Sequence, residues 1–207
     1  MLKILGRVSS INVRKVLWTC DELGLPFARE DWGAGFRSPS EESFLALNPN
    51  AMIPVVVDDD FVLWESNVIC RYLANRAGAT ALLPQDPRQR ALVEQWMDWQ
   101  ATEFNNAWRY AFLALVRNSP VHQDRSQIDA GIANWNRHAG IIDQHLARGH
   151  AYMAGDTFTL ADIVIGLSLG RWRVAPIARP HFPHVEAYCV RLAARPGFQT
   201  WASSEYS

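Results

Sequence analysis

The sequence predicts a two-domain protein, with a small α/β domain followed by an all-α helical domain. In residues 1–79, short apolar runs of strand length alternate with helically spaced ones in the order β-α-β-α-β-β-α. After residues 80–87, which carry two prolines and no apolar periodicity, apolar residues recur only at helical steps of three and four. We therefore expect domains at 1–79 and 88–207, joined by a linker at 80–87.

The first domain begins with apolar residues 2–5, predicted as a strand. Residues 13–23 have helical apolar spacing, and Gly24 is a typical helix stop. Residues 26–32 read as a second strand. Ser38 and Glu41 have capping-box spacing, which predicts a short helix that ends before Asn48-Pro49.

A hairpin and a third helix complete the predicted first domain. Residues 55–57 and 61–63 are apolar and flank the turn at Asp58-Asp59-Asp60. Ser66 is a favoured cap residue, and it precedes a helically spaced run that ends near Gly78.

The second domain is predicted to contain four main helices. The first covers about residues 88–117 and is bent or broken, and the second runs through residues 128–146. Thr159 and Asp162 form a capping box, with Asp in place of Glu, for a third helix that ends near Gly170. After the proline-containing break at 180–183, residues 185–194 form the fourth.

Composition narrows the class of protein. Of the 207 residues, 49% are apolar and 20% are charged, and the net charge is −1. With scattered Lys and Arg, this balance favours neither nucleic acid nor anionic membrane as a partner. The three cysteines and six histidines lack metal-site spacing, and we see neither a signal peptide nor a run of about 20 apolar residues that would span a membrane. We expect a cytoplasmic protein that binds no metal, nucleic acid or membrane.

The segments around Ile53-Pro54 and Glu65-Ser66 are the strongest functional signal. A proline at a strand start leaves the residue before it able to turn its backbone N–H and C=O outward, where an extended peptide can pair with them. A helix N-terminus close by offers free N–H groups to an anion. The combination predicts a site for a small peptide that has a carboxylate at one end and an amine near it.

These motifs together resemble the cytosolic glutathione S-transferases over the whole chain. The resemblance rests on Ile53-Pro54, Glu65-Ser66-Asn67 and the capped Thr159–Asp162 helix, together with Asn48-Pro49-Asn50 and Pro196-Gly197-Phe198. It implies a thioredoxin-like N-terminal domain that binds glutathione, a helical domain that helps to bind a second substrate, and a homodimer. It implies glutathione as a co-substrate and no cofactor.

The resemblance also implies how most of the glutathione is held. Pro54 would be cis, and Ile53 would hydrogen-bond the cysteinyl backbone. Glu65 would accept from the γ-glutamyl ammonium, and Ser66 would hold the γ-glutamyl carboxylate. At the glycyl end, Met52 stands where related branches often carry Lys or Gln, so the carboxylate there is left to Arg37, Asn50 or Trp32, of which Arg37 is the best electrostatic candidate.

The thiol end is predicted to resemble serine-type and bacterial branches, of the theta, zeta and nu kind. No tyrosine follows the first strand, and Ser10 aligns best with the catalytic hydroxyl when Arg14 is the anchor; Ser9 is the alternative, and Asn12 would donate a second hydrogen bond. Without the resemblance, the sequence would favour simple caps of the first helix, because all three residues are favoured there.

In the helical domain, the resemblance suggests further contacts. Glu103 and Asn106 would reach glutathione bound to the neighbouring subunit, although a solvated polar stripe is an equal alternative. Trp108, Tyr110 and Trp172 are candidates for the second-substrate pocket. The acid Asp162 is interpreted as a structural cap.

We therefore expect a transferase that joins the glutathione thiolate to a small electrophile, such as a halide, an epoxide or an activated alkene. Two alternatives stay open, namely glutathione-dependent disulfide reduction and a non-catalytic binding protein of the same fold.

Overall fold

In the computed structural model, which describes residues 1–202, the chain divides into two compact units. The first is Met1–Leu83, and the second begins at Pro84. The border falls inside the segment 80–87 that the sequence marks as a linker. Leu82 and Leu83 are buried, and Asp86 already caps the first helix of the second unit.

The first unit is a four-stranded mixed sheet with three helices. Its elements are β1 (Leu2–Leu5), α1 (Ile11–Leu23), β2 (Ala28–Glu30), α2 (Glu42–Leu45), β3 (Val55–Asp58), β4 (Phe61–Trp64) and α3 (Ser66–Arg76). The strand order is β2-β1-β3-β4, in which β1 is parallel to β2 and antiparallel to β3, and β3 is antiparallel to β4. This confirms the predicted order of elements and the thioredoxin-like architecture.

Apolar periodicity explains why α1 and its neighbours form. Val13, Val16, Leu17 and Cys20 recur at steps of three or four and are fully buried. The helix ends at Gly24, whose φ of +61° closes the last turn with N–H groups that reach back to Asp21 and Cys20.

Two helix starts differ from the sequence prediction. Helix α2 begins at Glu42 with Glu41 as its N-cap, because the Glu41 carboxylate accepts from the Ser38 N–H in a turn that precedes the helix. The N-cap of α3 is Glu65, so Ser66 is the first helical residue and not the cap.

The second unit is all-helical. Its elements are α4 (Pro87–Trp99), a π-helical turn (Gln100–Phe104), α5 (Asn105–Leu115), α6 (Arg125–Leu146), α7 (Leu160–Val174), α8 (Pro183–Ala193) and α9 (Pro196–Trp201). The π-helical turn is the break expected in the long first helix; α9 was not predicted. At this turn the buried Gln100 Nε2 donates to Ser168 Oγ at 2.9 Å and to Asn105 Oδ1 at 3.0 Å.

The buried α7 is the centre of this unit. Residues 160–172 are all buried, and the start of the helix is the predicted capping box of Thr159 and Asp162. Within residues 1–202, no helix is long and apolar enough to cross a membrane, and no cluster of three or more His, Cys, Asp or Glu side chains has the geometry of a metal site.

Candidate functional site

The candidate site lies at one end of the sheet of the first unit. Val55 pairs with Leu5 of β1 and with Trp64 of β4. One step further along the three strands come Gly6, Pro54 and Glu65, so these residues lie beside one another. Only glycine fits at position 6, because a Cβ there would stand 2.5 Å from Val13 Cγ2 of α1 and 3.2 Å from Ile53 Cβ.

The Ile53–Pro54 peptide bond is cis, as the resemblance implied. Pro54 is buried and Ile53 is partly exposed. Among the described residues, neither the N–H nor the C=O of Ile53 has a hydrogen-bond partner. An extended peptide can therefore pair with this backbone in the way the sequence predicts.

The start of α3 is open. Its N-cap, Glu65, accepts no capping hydrogen bond, and its backbone has a φ of +73°, which is rare for a residue other than glycine. Ser66 follows, with only 7% of its surface exposed. Within residues 1–202, the carboxylate of Glu65 and the hydroxyl of Ser66 make no hydrogen bond or ion pair, so both remain available to a ligand.

The start of α1 is open in the same way. Ser10 is the N-cap residue, with φ −81° and ψ 123°, but its side chain makes no capping hydrogen bond. The alternative that these residues only cap the helix is therefore not supported for the hydroxyl of Ser10. Asn12 has its Oδ1 buried without a partner in the described part of the chain, whereas Ser9 is engaged in an interaction of its own.

Buried polar contacts hold the two helix starts in place. Arg14 Nε of α1 donates to the Val8 carbonyl at 2.7 Å and fixes the loop that carries the serines. Lys15 Nζ donates to Asn67 Oδ1 in the first turn of α3 at 3.1 Å, and both residues are buried. Helices α1 and α3 are therefore joined near the residues that the sequence singled out.

The loop before Ile53 is also built by side-chain contacts. Asn48 Nδ2 donates to the Met52 carbonyl at 2.8 Å, and Asn48 Oδ1 accepts from the backbone and side chain of Asn50 at 3.1 and 3.0 Å. The Met52 side chain is 57% exposed. Asn50 thus has its amide engaged inside the loop.

Arg37 and Trp32 form a stacked pair next to α2. The Arg37 guanidinium lies 3.9 Å from the centre of the Trp32 ring and donates to the Glu41 carboxylate at 2.8 Å. The hydrogen bond from Arg37 lowers the pKa of Glu41 below its usual value. Trp32 itself is buried against Phe44, with ring centres 4.9 Å apart.

Arg7 is a residue that the sequence reasoning missed. It follows Gly6 directly, and its backbone N–H donates to the Trp32 carbonyl at 3.1 Å. Its Nε is buried and has no hydrogen-bond partner within residues 1–202. A cation directly after the strand-ending glycine was the signal available in the sequence.

The residues of the second unit that the sequence suggested as substrate contacts lie partly in its core and partly on its surface. Trp108 and Trp172 are 6% and 4% exposed, and Trp172 Nε1 donates to Asn136 Oδ1 at 2.8 Å. Tyr110 is partly exposed, and its hydroxyl accepts from the Asp124 N–H at 3.2 Å. Glu103 and Asn106 are exposed on the π-helical turn and on α5.

None of the three cysteine thiols is suited to act as a nucleophile. All three are free and buried, and burial is the main cause that raises their pKa, to about 12 for Cys20, about 11 for Cys70 and about 11 for Cys189. Since the thiolate is the reactive form of a thiol, these side chains are inert at neutral pH.

Comparison with known proteins agrees with this geometry. Residues 9–76 match the family model "Glutathione S-transferase, N-terminal domain", and residues 105–196 match "Glutathione S-transferase, C-terminal domain". The chain is 35% identical to glutathione S-transferase GstB of Escherichia coli K12 over 198 residues, which are 95% of each chain. It is 35% identical to glutathione S-transferase 3 of Zea mays over 209 residues, covering 96% of this chain and 91% of the maize protein.

A solved structure extends the similarity to the whole fold. The theta class glutathione S-transferase of Xanthomonas axonopodis pv. citri, determined with glutathione bound, superposes with a TM-score of 0.93 and 36% identity, covering 100% of this chain and 99% of that one. Both domain models, the full-length relatives and this structure lead to one conclusion: the chain belongs to the glutathione S-transferase family.

Proposed function

We propose that this glutathione S-transferase conjugates the glutathione thiolate to a small electrophile, such as a halide, an epoxide or an activated alkene. The observation that carries the proposal is the pair of open helix starts, α1 and α3. They belong to the same unit as the backbone of Ile53, which is unpaired within the described residues. The Xanthomonas relative, which is similar over its full length, binds glutathione.

Each part of glutathione has a partner of suitable chemistry. The cysteinyl backbone pairs with Ile53 next to cis Pro54, the γ-glutamyl carboxylate takes the Ser66 hydroxyl and the N–H groups of α3, and Glu65 accepts from the γ-glutamyl ammonium. The glycyl end lies toward the exposed loop of Asn50 and Met52, with Arg37 on Trp32 as a further candidate contact.

Ser10 and Asn12 stabilise the thiolate in this proposal, and Ser9 is the alternative donor. An ordinary thiol has a pKa of about 8.5, and a shift of about two units corresponds to roughly 2.7 kcal/mol. Hydrogen bonds to charged groups contribute about 1.5–3 kcal/mol each. One or two donors at the start of a helix therefore suffice, and no general base is required.

The second unit supplies the remaining parts of the proposal. Tyr110, Trp108 and Trp172 are the candidate groups for the electrophile pocket, and the exposed Glu103 and Asn106 would contact glutathione of a partner subunit in a homodimer. Three unpaired cysteines favour a reduced, cytoplasmic location. Glutathione serves as co-substrate, without a further cofactor.

The test compares Ser10→Ala with Ser9→Ala in conjugation of an aryl halide and in the ultraviolet titration of the bound thiol. Ser10→Ala is expected to lower kcat/KM by about tenfold to a hundredfold, in line with one lost hydrogen bond to an anion, and to raise the thiol pKa. Its melting temperature should not change, because the Ser10 side chain makes no capping bond. An unchanged rate at neutral pH rejects the role of Ser10.

Two other activities remain as alternatives. A site formed by the Ser10 hydroxyl and the Asn12 amide favours glutathione-dependent disulfide reduction. That activity would appear as faster turnover of a mixed disulfide than of an aryl halide. The exposed thioether of Met52 at the glycyl end favours a non-catalytic binding protein. Retention on immobilised glutathione without turnover of either substrate would indicate that role.

A further inference from the structure

Arg7 is a cation without a partner beside the proposed glutathione site. Its Nε is buried, and among residues 1–202 its guanidinium makes no hydrogen bond or ion pair. The residue as a whole is partly exposed, so the two terminal nitrogens are the atoms that solvent or a ligand can reach.

The backbone of Gly33 leaves room for this side chain. A Cβ at Gly33 would lie 3.4 Å from Arg7 Nε, 3.5 Å from Arg7 Cδ and 3.2 Å from Ile53 Cδ1. The Arg7 stem therefore passes over Gly33, next to the tip of the Ile53 side chain. Gly33 also has a φ of +105°, a conformation that other residues rarely adopt.

Other cations of this region already have acceptors. Arg37 pairs with Glu41, Arg29 with Asp31, Lys3 with Glu30, and Arg14 with the Val8 carbonyl. Arg7 differs from all of them. A partly buried guanidinium with no acceptor is unfavourable on its own, and it is suited to an anion that comes from outside the chain.

The order of the strands indicates which carboxylate of a bound glutathione would lie near Arg7. Strand β3, which Pro54 immediately precedes, lies between β4 on one side and β1 on the other. Glu65 and Ser66 follow β4, and Gly6 and Arg7 follow β1. A peptide that pairs with Ile53 and has its γ-glutamyl end on the β4 side extends its other end toward the β1 side.

We propose that Arg7 binds the glycyl carboxylate of glutathione and sets the preference of the site for a ligand that is anionic at that end. This inference rests on the proposed function. It assigns the glycyl end to a residue of the β1–α1 loop, whereas Arg37, the cation expected from the sequence, is paired with Glu41.

The test uses two ligands that differ only in the charge at the glycyl end, glutathione and its glycine monoethyl ester. Calorimetric titrations of both ligands are made with the wild type, Arg7→Gln, Arg7→Lys, the competing candidate Arg37→Gln and, as the matched control, Arg125→Gln, whose exposed side chain pairs with Asp129 in the second unit. Arg7→Gln should bind glutathione about tenfold to a hundredfold more weakly and bind the ester as the wild type does. Arg125→Gln should bind both ligands as the wild type does, and Arg7→Lys should retain part of the preference for glutathione. A loss of that preference in Arg37→Gln, with the preference kept in Arg7→Gln, would assign the carboxylate to Arg37 and overturn the proposal.

The outcomes separate this inference from the function on which it rests. If the wild type binds neither ligand, the proposed function fails, and the inference fails with it. If the wild type binds glutathione and Arg7→Gln weakens both ligands equally, or neither, the assignment to the glycyl carboxylate is wrong. A raised pKa of the bound thiol in Arg7→Gln, with an unchanged ligand preference, would instead assign Arg7 to the sulfur.

Discussion

Helices α7 and α3 begin in opposite ways. At the start of α7, the buried Asp162 accepts from the N–H groups of Met153 and Thr159 and from the hydroxyls of Thr159 and Tyr188. At the start of α3, Glu65 accepts no capping bond, and Ser66 keeps its hydroxyl unbonded within the described residues. The first is a closed helix start, which is complete by itself. The second is an open helix start, whose polar side chains remain available to a ligand.

The same contrast extends to other helices of the two units. In the second unit, Asp86 accepts from Gln89 at the start of α4, Asp124 from Gln127 at the start of α6, and Asp143 from His184 and Val185 at the start of α8. In the first unit, α1 and α3 both begin without a side-chain cap. Carboxylates of the second unit thus satisfy N–H groups at its helix starts, while α1 and α3 of the first unit leave theirs without a side-chain acceptor.

The largest expected effect comes from breaking the closed start of α7. Asp162→Ala should lower the free energy of unfolding by about 3–5 kcal/mol, since it leaves buried donors without an acceptor. Urea unfolding of the intact chain measures the loss. Asp156→Ala, which removes an exposed acid six positions earlier, is the control and should change stability little. Equal, small effects of the two substitutions would show that α7 does not depend on this acceptor.

The closed starts were the more predictable ones because their partners are close in sequence. Thr159 and Asp162 are three residues apart, and that spacing alone predicts the capping box. The same spacing at Ser38 and Glu41 predicted the wrong start for α2. A carboxylate three residues later in the chain can also accept from the N–H of a turn that precedes the helix. The spacing predicts the local hydrogen bond. It does not predict whether the helix begins before or after the residue that accepts it.

The open starts were predictable in position but not in detail. Ile53-Pro54 and Glu65-Ser66 both lie at the same end of the sheet, and the sequence could indicate this because strand and turn patterns are local. The positive φ of Glu65 has no local signal, since a residue other than glycine adopts it only under tertiary constraint. The lack of a partner at Arg7 was also hidden from the sequence, because it depends on which acceptors the fold brings near.

A smaller effect is expected at the closed start of α4. Asp86→Ala removes the acceptor for the Gln89 N–H and should lower the free energy of unfolding by about 1 kcal/mol. Asp86→Asn keeps an acceptor and should remain within a few tenths of a kcal/mol of the wild type. Urea unfolding of both variants makes the comparison. A loss in Asp86→Asn equal to that in Asp86→Ala would attribute the effect to charge and not to the cap.

An effect of similar size but opposite sign is expected at the open start of α3. Glu65→Gly relieves an unfavourable φ of +73°, whereas Glu65→Ala retains it, so the glycine variant should be more stable than the alanine variant by about 1 kcal/mol. Both variants lack the carboxylate proposed for the γ-glutamyl ammonium, and both should bind glutathione more weakly than the wild type in calorimetric titration. Equal stability of the two variants would mean that the backbone at Glu65 is not strained. A glycine variant that is more stable yet binds more weakly would mean that the first unit gives up stability at this helix start in order to keep it open for a ligand.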